Sequence, residues 1–209
     1  MDVSEIWEIA YGLVARKDHI EASEVASFTG RLLEDRDRLG PGDRALFAQY
    51  SLVLGYLLYH YDLRLDGADC EKMLIDALAA DDSLQLAELY LGYYCFDRAR
   101  FSDAAAHLSR CIPGSFKRWV GLKVSELLIC CHLMLWDLED PQTRDRILDE
   151  IRNWLSELVA SPTEDVPMPS EFAKCLGQER WRLRDDAVSI VKNRLRELLK
   201  LNGINSIYI

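Results

Sequence analysis

Residues 85–118 read QLAELYLGYYCFDRARFSDAAAHLSRCIPGSFKR, and this stretch decides the fold. Its first half places apolar residues at helical spacing around Leu91-Gly92. A polar break follows at Asp97–Arg100, and the second half repeats the spacing from Phe101 to Cys111 before Pro113-Gly114 stops it. The pattern predicts two helices folded back on each other. Outward from this pair almost every segment has the same period, and no run alternates as a strand would.

Upstream, helices are predicted over about Val3–Arg16, from the Asp18…Glu21 capping-box pattern to about Arg38, over about Asp43–Tyr61 and over about Gly67–Ala80. Downstream, helices are predicted over about Ser115–Leu138 and from Asp140-Pro141 to about Ala160, the latter opened by an Asp cap and a Pro in the first turn. Residues 161–170 hold three of the six prolines and form the internal Pro-rich loop. A capping helix broken near Gly177, with an apolar tail, is expected over 171–209. The whole chain, 1–209, is thus expected to be a single all-α domain of helical hairpins.

The hairpins resemble one another. Leu54-Gly55 and Leu91-Gly92 lie 37 residues apart, each followed by aromatics, and Leu74-x-x-Ala77 aligns with Leu108-x-x-Cys111. A Gly or Ala lets paired helices approach closely, while large side chains at fixed spacing fill the gap to the next pair. On these residues 85–118 resembles a tetratricopeptide repeat. Leu91-Gly92 stands in the first helix, Phe101 at the turn, Ala104 at the crossing, Leu108 after it, and Cys111 where a second Ala is usual. Glu88, Cys95 and Phe116 depart from the family's Trp, Tyr and closing Pro, and residues 48–84 form a poorer copy. The resemblance implies a right-handed α-α superhelix of about four hairpins with a C-terminal capping helix. It also implies that first-helix side chains line a concave face where a partner lies. Tyr56, Tyr59 and His60 in one repeat, matched by Tyr93, Phe96 and Asp97 in the next, are the residues expected to meet that partner. Members that grip acidic peptide C-termini carry Lys and Asn on this face; here Leu52, Val53, Leu89 and Tyr90 stand there, so that specificity is not expected.

Composition narrows the function. The 209 residues are 49% hydrophobic and 29% charged, which excludes disorder. No apolar run reaches the roughly 18 residues of a membrane span, the longest being Leu127–Trp136. Asp2, Glu5 and Glu8 sit where a signal peptide would be basic and then apolar, so a soluble, cytoplasmic protein is expected. The net charge of −10 disfavours nucleic acid as a partner and suits a basic protein. Residues 1–160 carry 17 basic and 28 acidic side chains, against 8 and 7 in 161–209. Within 180–200 the net is +4, and Arg182, Arg194 and Arg196 mark a secondary basic surface on an amphipathic helix. Packing across the end of the repeats is its expected role, and RNA binding is the alternative.

Motifs for chemistry are missing. There is no phosphate loop, HExxH, dinucleotide fingerprint or GxSxG. His107 and Cys111 share a helix face without a local third ligand, and Cys130-Cys131 point about 100° apart. The six cysteines lie in or beside apolar helical segments and are expected to be reduced and buried. No catalytic residue, metal or cofactor is expected. The reading is a non-enzymatic protein–protein interaction module, an adaptor or an immunity protein that neutralises a basic toxin. The alternative is an all-helical enzyme or small-ligand domain with a pocket between hairpins, near His60, His107 or His132.

Overall fold

Asp69 shows how local chemistry sets an element. Its Oδ1 accepts the backbone N–H of Lys72 at 2.9 Å, which starts the helix at Cys70 rather than at Gly67 as expected. In the computed structural model, which describes residues 2–40, 42–63, 65, 68–160, 170–177 and 193, the order is α1 (Val3–Ala15), α2 (Ala22–Asp37), α3 (Arg44–Tyr61), α4 (Cys70–Ala80), α5 (Gln85–Asp97), α6 (Phe101–Leu108), α7 (Arg118–Met134), α8 (Pro141–Ala160) and α9 (Ser170–Gly177). Short 3₁₀ turns at Lys17–His19, Pro113–Ser115 and Trp136–Leu138 complete it. The fold is all-helical; the one extended pairing among the described residues is an isolated bridge between Leu65 and Ala68. No described helix is long and apolar enough to cross a membrane. Residues 161–169 of the expected Pro-rich loop and most of the expected capping helix lie outside the described residues, and Ser170, expected to end that loop, begins α9.

The chain divides into two compact units, Met1–Tyr94 and Cys95–Ile209, with the division inside α5. In the first unit α3 is central and packs against α1, α2 and α4. It is buried continuously from Tyr50 to Leu58, so it shows no polar face. Gly55 permits the close approach of α4: a Cβ there would lie 2.5 Å from both Cγ and Cδ2 of Leu74. Leu74 and Ala77 are fully buried beneath it. Arg36, only 7% exposed, ties α2 to this core. Its Nε donates to Ser51 Oγ at 2.7 Å, its two Nη atoms pair with Asp37 and Asp76, and its guanidinium lies 4.2 Å from the Phe47 ring centre. Arg44 donates to the carbonyls of Ala79 and Ala80, satisfying the C-terminus of α4.

In the second unit α7 is central and contacts α6, α8 and α9. Asp140 caps α8 as expected, accepting the Thr143 N–H at 2.9 Å and its hydroxyl at 2.8 Å. Trp154 of α8 donates to the Leu122 carbonyl at 3.0 Å and meets Phe172 of α9 edge-on at 5.2 Å. Glu126 is fully buried. One of its oxygens accepts the N–H groups of Glu171 and Phe172 at 2.9 Å, and the other meets Lys123 Nζ at 2.7 Å. A negative charge thus sits at the start of α9, where the helix leaves donors unsatisfied.

Some boundaries differ from the sequence-based expectation. The Asp18…Glu21 capping box does not form: residues 17–19 wind into a 3₁₀ turn, Ile20 is extended, and α2 begins after Glu21 without a side-chain cap. The helix expected over Ser115–Leu138 is trimmed at both ends into 3₁₀ turns, leaving Arg118–Met134. All six cysteines are free and buried, and Cys111 Sγ contacts the carbonyl of His107 in its own helix.

Candidate functional site

Alternate helices of the first unit carry aromatic rings at one-turn spacing, which puts each set on one helix face. α1 supplies Trp7 and Tyr11, α3 supplies Tyr56, Tyr59 and His60, and α5 supplies Tyr90 and Tyr93. The rings meet. Trp7 stacks on Tyr11 at 5.0 Å, and both reach Tyr56, at 5.6 and 5.5 Å. Tyr56 passes the contact to Tyr90 at 5.2 Å, and Tyr59 touches Tyr90 and Tyr93 at 5.5 and 6.3 Å. Most pairs are tilted or edge-on, the arrangement ring quadrupoles favour. Trp7 Nε1 donates to Gln49 Oε1 at 3.3 Å, which holds α1 in register with α3.

His60 sits in the middle. Its ring centre is 4.6 Å from Tyr56, 5.2 Å from Tyr59 and 5.6 Å from Tyr90. Nε2 is buried without a hydrogen-bond partner among the described residues. Burial, helped by the nearby Lys17 ammonium, pulls the imidazole down to about 4, so it is neutral at pH 7. Lys17 Nζ itself donates to the His60 backbone carbonyl and lies 5.6 Å from the Tyr61 ring centre. Burial raises the Tyr11 and Tyr90 phenols and, with the neighbouring Tyr11 and Tyr61, pushes Tyr56 up to about 12. Every titratable ring whose shift is resolved here is therefore uncharged near neutrality.

The six residues expected to meet a partner are not equivalent. Tyr59, His60 and Tyr93 are half-buried members of this cluster. Tyr56 is only 4% exposed: it supports the ring surface from below rather than presenting itself. Phe96 is 3% exposed and belongs to the second unit, packed edge-on against Phe101 at 5.7 Å; Asp97 is exposed there. The burial of Tyr56 and Phe96 removes both from any open surface, because each falls on the inward side of its helix. Trp7, Tyr11 and Tyr90 were not among the expected site residues, and Tyr11 is half exposed. The i, i+4 spacing of Trp7 and Tyr11 matches that of Tyr56 and His60 and was the available signal. Arg182, Arg194 and Arg196 lie outside the described residues.

Charge is concentrated on the same unit. Residues 1–94 carry 18 acidic and 8 basic side chains, the entire net of −10, whereas residues 95–209 carry 17 of each. Exposed Glu8 lies one turn from Tyr11 on α1. No group of three metal-ligating side chains occurs among the described residues. His132 Nδ1 of α7 meets Glu139 Oε1 at 2.9 Å, both side chains being largely buried. Two open clefts, of about 240 Å³ beside Ser125 and Glu150 and about 440 Å³ beside Arg44 and Asp76, contain no histidine in their walls. The chain matches no protein-family model, and no curated protein and no solved structure matches it either.

Proposed function

We propose that this chain acts by binding, as a tetratricopeptide-like protein–protein interaction module whose first unit presents the aromatic surface of α1, α3 and α5 to a basic partner protein. An adaptor, or an immunity protein that neutralises a basic toxin, fits this description. The supporting observation is the continuous row of rings on alternate helices, within the unit that holds all of the net negative charge. Tyr and Trp give large contact area with few rotors to freeze, and aromatic residues dominate binding energy at interfaces. The acidic composition of residues 1–94 adds encounter rate and rejects acidic competitors. The aligned helix pairs, with Gly55 at a close crossing and Leu74, Ala77, Ala104 and Leu108 fully buried, are consistent with a right-handed superhelix of about four hairpins.

The test is affinity capture followed by a binding constant for the purified partner, wild type against the Tyr59→Ala/Tyr93→Ala double variant. A basic protein bound at least tenfold more weakly by the variant supports the reading. A partner bound equally by both places the interface elsewhere.

A further inference from the structure

We infer that the aromatic surface around His60 recognises arginine side chains of the partner in preference to lysine; this rests on the binding role proposed above. The observation is the ring set itself. Tyr59, Tyr90 and Tyr93 are mutually within 6.3 Å and partly exposed, and Trp7 and Tyr11 extend the row along α1. Such a surface offers π faces at several orientations and no charge of its own, since Tyr56 and Tyr90 hold their protons and His60 lacks one.

An ammonium and a guanidinium answer differently to that surface. Lysine's ammonium is compact and strongly hydrated, and gives up water reluctantly. Arginine's guanidinium is planar and weakly hydrated, stacks on aromatic faces and retains edge donors while stacked. His60 Nε2 is itself buried, with no donor among the described residues, so the choice between the two cations falls to the ring faces. The acidic composition of residues 1–94 favours any cation, arginine and lysine alike, so it supplies attraction but no choice between them.

The experiment uses the full chain and two charge-matched probes, capped peptides of four Gly-Arg and four Gly-Lys repeats, titrated at pH 7 and one fixed ionic strength. Binding is followed by the aromatic ¹H–¹³C resonances of the tyrosines and His60. The expected result is saturable binding of the arginine peptide at least threefold tighter than the lysine peptide, with shifts at Tyr59, Tyr90, Tyr93 and His60. In Tyr59→Leu/Tyr93→Leu, which keeps apolar bulk and removes the π faces, the preference falls to about one. Equal binding of both peptides by the wild type, weakened equally in the double variant, overturns arginine selectivity and leaves the recognition surface standing. Binding unaffected by the double variant, or no saturable binding of either peptide, overturns the selectivity and the surface together. The wild-type comparison between peptides stands whether or not the variant folds fully.

Discussion

Substituting Gly55 by alanine tests the closest helix crossing in the first unit. The added methyl would lie 2.5 Å from Leu74 Cγ and Cδ2, whereas carbon atoms rest at about 3.5–4.0 Å. Leu74 must therefore retreat by roughly 1 Å, and as a fully buried side chain it has nowhere open to go. Overpacking of this kind costs about 1–3 kcal/mol. Against it stands the helix preference of alanine over glycine, about 1 kcal/mol. The net expectation is a loss of roughly 1 kcal/mol. A second substitution separates the two effects. Leu74→Ala alone should cost about 2–5 kcal/mol through its cavity. In that background the Gly55→Ala methyl meets no clash, so only the propensity gain remains and the change should become stabilising by up to about 1 kcal/mol. The cycle thus predicts a coupling of about 2 kcal/mol. Hydrogen-exchange free energies of α3 and α4 amides read it without assuming that the two units unfold together. A coupling below about 0.5 kcal/mol would refute the close crossing.

Three other substitutions probe separate features. Glu126→Ala orphans two N–H groups of α9 and the Lys123 ammonium; it should destabilise the second unit by about 2–4 kcal/mol and remove exchange protection at residues 171–173, while unchanged protection would show α9 held by other means. Ala99 adopts a left-handed backbone with φ of 57°, which disfavours a Cβ, so Ala99→Gly should raise the melting temperature through a gain of about 0.5–1 kcal/mol; a lower one would contradict this. His60 titrates near 4 folded and near 6.5 unfolded, so between these values the unfolded chain binds the extra proton and stability falls as pH falls. His60→Gln should flatten that part of the stability–pH curve, and an identical slope in both proteins would mean that His60 is not held neutral.

Much of the architecture could be read from the chain because its signals are local. Helical period, the Asp140-Pro141 start and the small residue at Leu54-Gly55 each concern neighbours within a turn or the nearest partner helix, and each reappears in the structure. The aromatic residues were visible, but their exposure was not. α3 is apolar on every side, so its sequence carries no polar stripe to say which tyrosines face outward, and Tyr56 proves buried while Tyr59 stays half open. Trp7 and Tyr11 join the cluster through contacts with a residue more than forty positions away. The Asp18…Glu21 pattern misled for the opposite reason: a local preference lost to the 3₁₀ turn that carries Lys17 to the end of α3.

The carboxylate of Glu126 has a consequence for how the second unit can be shortened. α9 has eight described residues, fewer than an isolated helix needs to persist in water, so its shape depends on an anchor 45 residues earlier in the chain. The dependence runs both ways. A truncation before Ser170 would strand a carboxylate inside α7 with Lys123 as its remaining described partner, and water would have to enter to solvate it. A shortened chain that keeps this carboxylate satisfied must therefore extend past Phe172, however dispensable so short a helix looks by its length.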